Sequence, residues 1–430
     1  MIDSSDFAIT EISAYEILDS RGDPTLRVCV STKKARGCAN VPSGLSKGKH
    51  EVAELRDGIG KLGGKGVLKA VETVKDYILQ ALVGEDVREQ QKIDRIMMSL
   101  DGTEDKSKLG GNTMLGVSLA VARTAAILTS QELYSYLGGV GEFILPVPFL
   151  NIINGGKHAS SGLDFQEFMI VPVGFDTFKD AIWASSEVYH KLKEIIKEKY
   201  GGIHTSVGDE GGFTPPIRDP EAAVILLEDA IKASGYAVGD NFYIAIDAAS
   251  SNFYNEEKGV YTVNGKNYRK DELLEFYLKL IDAHPVKSIE DPFYEEDFES
   301  FSELNSKLRK KGVLVVGDDL LTTNPKRLEK ALEKGSVSGV IVKPNQIGTL
   351  TETIRFSEMA MHSGIKAIVS HRSGETDDPF IADLSVALRN GAIKAGAPCR
   401  GERTSKYNRL IEIESLLSGY SEFAGRRFFI

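Results

Sequence analysis

From residue 241 to residue 394, short apolar runs alternate with amphipathic stretches, and this pattern limits the possible folds more than any other feature of the chain. The runs are NFYIAIDAAS, VKSIEDPF, GVLVVGDDL, SGVIVKPNQ, KAIVSHRSG and the segment around Ile393; helical patterns such as DELLEFYLKLIDAH and FIADLSVALRN lie between them. Apolar runs separated by helices predict parallel strands, because a parallel crossover needs a covering element and leaves both faces of the strand buried. Repeats of about 25 to 40 residues extending over roughly 290 residues fit a (β/α) barrel better than an open sheet, which the period alone also allows. LNIING and FQEFMIVPV are strand-like with no helix between them, and two helices follow before the next strand. The expected fold is therefore α/β, an eight-stranded (β/α)8-type barrel with a hairpin start, ββαα(βα)6.

A different grammar precedes it. ITEISAYEIL and TLRVCVS flank DSRGDP as a hairpin or meander would, VETVKDYILQALVG is an amphipathic helix, and NTMLGVSLAVARTAAILTSQELYSYLGG is apolar nearly all round, a buried helix pair. Glycine and proline concentrate in GGVGEFILPVP, residues 138 to 148, as at a domain boundary. We expect a smaller α+β domain over 1–137 and the barrel over 146–430.

Of the 430 residues, 42% are hydrophobic and 27% charged, the balance of a soluble globular chain. A net charge of −10 argues against a nucleic-acid or anionic-membrane surface and favours small ligands. No apolar run approaches the roughly 18 residues of a membrane span, and MIDSSDFAIT lacks the regions of a signal peptide, so a cytoplasmic protein without membrane or nucleic-acid partners is expected. Cys29, Cys38 and Cys399 show no paired spacing and read as packing residues rather than a disulfide framework or a zinc site.

The apolar runs end in ionisable residues: Asp247, Glu290, Asp318, Lys343, His371 and Lys394. One such residue reads as a helix cap or a salt bridge. Six in phase read as a site, because the C-terminal ends of barrel strands share one rim. Asp247, Glu290 and Asp318 offer only oxygen, which suits a hard cation such as Mg²⁺. Their charge of −3 leaves about −1 after one divalent ion, room for a second cation with an anionic substrate. Neighbouring cations would favour a neutral amine, a proton acceptor, at Lys343 or Lys394. Arg372 and Ser373 suit a phosphate or carboxylate. VGDEGGF places Asp209 and Glu210 between glycines, with Glu210 a candidate proton donor; QEF adds Glu167 and KHAS adds His158. VPSGLSKGKHEV, residues 41 to 52, reads as a flexible loop and not a Walker phosphate loop, since Gly44 and Gly48 have three residues between them where that motif needs four, and His50 follows Lys49.

The blocks DSRGDPT, NGGKHA, QEFMIVP, VGDEGGF, SIEDPFYEED, VGDDLLTTNP, KPNQIGTL, SHRSGETDD and IKAGAPCRGER span the whole chain, and together they resemble the enolase family. The resemblance implies reversible Mg²⁺-dependent dehydration of 2-phosphoglycerate to phosphoenolpyruvate through an enolate, with two Mg²⁺ per site. Lys343 would be the base and Glu210, supported by Glu167, would help expel the hydroxyl as water. Asp247, Glu290 and Asp318 would hold the first Mg²⁺ and Ser46 the second. Lys394 would meet the carboxylate or hydroxyl end of the substrate and Arg372 and Ser373 its phosphate. His158 would close over the substrate, with His371 and Gln166 lining the pocket. Residues 41–52 would form a mobile lid, and the protein would be a homo-oligomer, a dimer or a multiple of one. The chain departs from the usual family pattern at Leu45, Lys47, Pro344 and Gly401, and Lys47 would add positive charge near the phosphate on closure. Two competing readings are another enolate-forming reaction on a related barrel and a catalytically weak relative kept for binding.

Overall fold

A computed structural model describes residues 3–44, 47–159 and 162–430. Eight strands close into a barrel. In chain order they are Val147–Asn154, Glu167–Pro172, Phe242–Asp247, Val286–Glu290, Leu314–Gly317, Gly339–Val342, Lys366–Ser370 and Ala392–Lys394. The first pairs antiparallel with the second and the second antiparallel with the third; every other pairing is parallel. Two helices, Phe178–Tyr200 and Pro220–Ala233, separate strands two and three. The hairpin start and the (βα)6 remainder are as expected. Strand one is buried at all eight positions, which is why it reads as a continuous apolar run and not as an alternation.

Because the second strand runs against the others, its first residue, Glu167, stands beside Asp247, the last residue of strand three. That inversion brings an N-terminal residue to the rim where the other strands end.

The small domain is a three-stranded meander, Glu11–Leu18, Pro24–Ser31 and Arg36–Asn40, covered by helix Gly111–Leu128. A Cβ on Gly116 would lie 2.5 Å from Val28 Cγ2, so only glycine lets the helix lie this close on the sheet. This helix is long and apolar enough by composition to span a membrane, contrary to the expectation that no run approaches that length; 89% of it is buried inside the protein, as in a core helix. The expected helix from residue 71 begins at Leu68 and passes through a π-helical turn at Val74–Ile78 before ending at Leu82. Helix Gln90–Asp101 and the small sheet Tyr254–Asn255, Val260–Val263 and Lys266–Tyr268 were not legible from periodicity.

One expectation is overturned in the meander. Cys29 and Cys38 form a disulfide, because antiparallel pairing sets them directly opposite one another with Cα atoms 4.0 Å apart. Their nine-residue spacing matches no ligand motif, but it is what a strand, a tight connection and a return strand produce. Cys399 remains a free thiol.

The two domains are tied at Asp378. It accepts from Arg123 Nη1 at 2.7 Å and from the Asn40 backbone at 2.9 Å, and Arg123 also donates to the Cys38 carbonyl at 2.7 Å. Burial would raise the Asp378 carboxyl, but Arg123 outweighs it and holds the group below its ordinary range. A carboxyl depressed in the folded state contributes stability that is complete above its unfolded pKa and is lost as pH falls through the folded value. Asp378→Asn is expected to cost about 3 kcal/mol at neutral pH, since it strands a partly buried guanidinium. The denaturant midpoint measures it, and the difference from the parent should shrink on acidification.

Candidate active site

Every described residue of the predicted site reaches the same barrel mouth. Asp247, Glu290 and Lys394 are the last residues of strands three, four and eight, and Asp318, Lys343 and His371 directly follow strands five, six and seven. His158, Gln166, Glu167, Glu210, Asp247, Asp318, Lys343, His371, Arg372, Ser373 and Lys394 line one pocket. Ser46 lies outside the described residues.

Its floor is acidic and crossed by two lysines. Lys394 Nζ lies 2.8 Å from Glu290 Oε2, 3.1 Å from Glu167 Oε2 and 3.2 Å from Asp247 Oδ2. Lys343 Nζ is on Asp318 Oδ2, and Gln346 donates to Asp318 Oδ1 at 2.9 Å. Their carboxylate neighbours set the charge of both lysines. Burial disfavours both ammonium groups, but Asp318 holds Lys343 above its ordinary pKa and the acids around Lys394 hold that lysine well above its own. Each lysine has a carboxylate nearer than any other cation, and the nearer charge wins.

The acids fit a divalent cation. Burial and Asp247 push the Glu290 carboxyl up to about 8 in spite of Lys394, and Glu290 Oε1 is a buried acceptor with no hydrogen-bond partner. An anion still short of positive charge, with an unused oxygen, suits a hard ion. Among the described residues the three carboxylates grouped closely enough to hold an ion are not the predicted triad, however, but Asp291, Asp318 and Asp319, whose ligand atoms lie within 4.8 Å of one another. Lys394 pairs with Asp247 and Glu290, and Lys343 with Asp318. Asp291 accepts from the backbone N–H groups of Asp318 and Asp319 at 2.9 and 2.7 Å, so it shapes the turn that presents them.

Across the mouth stands a carboxyl pair. Gly212 lies so near strand one that a Cβ there would be 2.1 Å from Asn154 Oδ1; the VGDEGGF loop packs onto the rim and buries Glu210. Asn151 donates to Glu210 Oε2 at 2.8 Å. Glu210 Oε1 is 3.4 Å from His158 Nδ1 and 3.5 Å from His371 Nε2, and Glu167 Oε1 is 3.6 Å from His158 Nδ1. Burial and the charge of Glu210 hold Glu167 well above the carboxylate range. Burial acts the same way on Glu210, but His158, His371 and Arg403 outweigh it and hold Glu210 well below. Two carboxyls at such opposite settings titrate together, as a pair that shares one proton.

The third wall is the loop after strand seven. Arg372 is clasped by Glu51, with contacts of 2.9 and 3.0 Å, and donates to Asn345 Oδ1 at 3.0 Å. Arg21 Nη1 reaches Ser373 Oγ at 3.5 Å while its Nη2 is held by Asp19 Oδ2 at 3.0 Å, so DSRGDP is more than a hairpin turn: it braces this loop. The described part of the 41–52 segment is docked on the barrel. The Lys49 amide donates to Glu295 at 2.8 Å, Lys49 Nζ contacts Glu256 at 3.0 Å, and His50 meets Glu296 at 2.5 Å. Lys47 pairs with Glu54 at 2.9 Å instead of lining the cavity, because Glu54 is a largely buried anion within its reach. Pro344 is the first residue of the short helix Pro344–Ile347, where its missing N–H costs nothing and its fixed φ suits the turn after Lys343.

Asp291 and Asp319 would have been found by following each strand-end acid one residue further. Glu51, Asn345, Gln346 and Arg403 carry no comparable signal, since they come from a loop and from helices whose approach to the mouth is tertiary.

A barrel mouth with an acidic floor, two buried lysines and a carboxyl pair sharing a proton defines the class of metal-assisted carbon–oxygen lyase sites. Comparison with known proteins narrows it. Residues 9–137 match the enolase N-terminal domain and residues 142–430 the enolase C-terminal TIM barrel domain. Enolases of Thermococcus kodakarensis and Pyrococcus furiosus are each 52% identical over 422 residues, covering 98% of this chain and of theirs. The enolase of Methanocaldococcus jannaschii is 51% identical over 423 residues, again 98% of both chains. The chain belongs to the enolase family.

Proposed function

We propose that this mouth dehydrates 2-phosphoglycerate reversibly to phosphoenolpyruvate through an enolate, as a hydro-lyase of glycolysis and gluconeogenesis. One observation carries the reading. Lys343 follows strand six and Glu167 opens strand two, and these strands are four places apart in a ring of eight, which is diametrically opposite. A base and an acid facing each other across a substrate are what removal of a proton from one carbon and of hydroxide from the next, on opposite faces, requires.

Lys343, in its neutral form, takes the proton beside the substrate carboxylate. Glu210 and Glu167, sharing one proton, give it to the departing hydroxyl. Lys394 meets the carboxylate or hydroxyl end, Arg372 and Ser373 bind the phosphate, and His158, Gln166 and His371 line the substrate. Divalent metal, two Mg²⁺ in this reading, supplies the positive charge that offsets the dianion of the enolate. Asp247, Glu290 and Asp318 would hold one ion, with Ser46 assigned to the other.

We also place the protein in the cytoplasm, as a homodimer or a multiple of one. The exposed apolar side chains Leu18, Ile59, Leu62 and Leu68 around one groove of the small domain support a surface for a second copy. The purified chain with Mg²⁺ is expected to convert 2-phosphoglycerate to a product with the ultraviolet absorbance of an enol phosphate, and chelator is expected to stop it. Absence of that signal across a full Mg²⁺ titration would refute the assignment.

A further inference from the structure

Helix Gly401–Leu417 sends two cations into the protein within one turn, and they differ in kind. Lys406 has a carboxylate partner, Glu375 at 2.8 Å, plus the carbonyls of Thr376 and Glu402 at 2.6 Å. Arg403 is fully buried, and its nearest carboxylate is Glu402, 3.7 Å from Nε, beyond hydrogen-bonding distance. Its guanidinium instead donates to the carbonyls of Arg372 at 2.6 Å, Ser373 at 2.7 Å and Asp209 at 3.0 Å. One acceptor on it is not a carbonyl: Arg403 Nη1 lies 2.6 Å from His371 Nδ1. A buried cation without a bonded counter-ion is costly, and the ring nitrogen it touches is the one place where that charge can change chemistry.

An arginine has donors only. Nδ1 of His371 must therefore accept, which leaves the single proton of a neutral ring on Nε2, and Nε2 is the nitrogen facing Glu210 Oε1. Where a carboxylate sits behind a catalytic histidine it makes the ring a better base. Here the sign is reversed. We infer that Arg403 is a positioning residue that locks His371 as the neutral Nε2–H tautomer, turning its N–H toward Glu210 Oε1, 3.5 Å away and not hydrogen-bonded in this structure, and barring the ring from taking up a proton of its own. The inference rests on the dehydration reading only for its consequence in turnover, which is that the shared proton stays within the Glu167–Glu210 pair.

The groups around the ring agree. Burial holds His371 well below its ordinary pKa; Glu210 opposes this, while Arg403, Lys394 and Lys343 reinforce it. The decisive experiment is nitrogen NMR on the whole protein labelled with ¹⁵N-histidine, the His371 signals assigned by their loss in His371→Asn. In the parent, His371 is expected to stay neutral with its proton on Nε2 from about pH 5 to 8, across the range where a free imidazole titrates. A proton on Nδ1, or an imidazolium at neutral pH, overturns the inference whether or not the protein turns over 2-phosphoglycerate. In Arg403→Ala the ring should titrate, and the acid limb of kcat/KM should move up by about one pH unit as the imidazolium becomes accessible. Guanidinium ion added to that variant should move the limb back, and Arg403→Lys, which keeps a donor and a charge, should stay near the parent. Lys406→Met removes the neighbouring buried cation and should lower stability without moving the limb. A uniform loss of activity in Arg403→Ala at every pH, with His371 unchanged, would make Arg403 merely structural; should that variant not fold, the parent spectrum and Arg403→Lys still decide.

Discussion

Lys343→Ala is expected to lower turnover by on the order of 10⁴-fold, the upper range for loss of a positioned general base, while 2-phosphoglycerate still binds. Arg372, Ser373 and Lys394 are untouched by the change, and they carry the groups assigned to the two ends of the substrate. The truncation also removes the ammonium from Asp318 and leaves that carboxylate to Gln346 alone. Metal affinity should therefore hold or rise, so added Mg²⁺ will not rescue the variant. Proton exchange at the carbon beside the carboxylate, followed by NMR in deuterated water, should vanish together with turnover. Exchange that continued at the parent rate would remove Lys343 as the base.

Glu210→Gln should separate the two halves of the reaction. The amide keeps the shape and the Asn151 contact but cannot share a proton with Glu167. Turnover is expected to fall by about 100-fold or more, within the range for loss of an acid–base group. Because Lys343 stands on the other side of the mouth and works first, exchange of the substrate proton should persist. A parallel loss of exchange and turnover would mean that Glu210 acts before the enolate forms, contrary to the order proposed. The carboxyl pair also loses its repulsion. Glu167 is raised by burial and by the charge of Glu210, so without that charge its pKa should come down, though burial keeps it elevated.

Much of the site was legible because barrel strands are short and buried on both faces. Asp247, Glu290 and Lys394 could be found by asking where an apolar run stops, since a charged side chain cannot continue into the wall. Asp318, Lys343 and His371 obey the same rule with an offset of one residue. Glu167 was placed correctly on the second strand, although its position at the rim depends on that strand running backwards. The disulfide was missed because a sequence separation of nine between Cys29 and Cys38 becomes a contact only when an antiparallel register sets them face to face.

Charge states were less legible than positions. Which neighbour lies closest to each lysine depends on side-chain geometry at the rim, and for Lys343 the answer is Asp318. Lys47, expected over the phosphate, is taken up by Glu54 for the same reason.

The order of residues, read alone, favours the barrel with a hairpin start and picks out the ionisable groups at its strand ends, because burial on both faces and the period of the apolar runs are local properties of the chain. Folding in three dimensions decides how those groups are set: that Glu210 is held low and Glu167 high, that Glu51 clasps Arg372, and that an arginine more than thirty residues beyond His371 stands behind its ring. Coulomb and hydrogen-bond terms change over single ångströms, and distances of that size exist only after helices and loops remote in sequence have packed together.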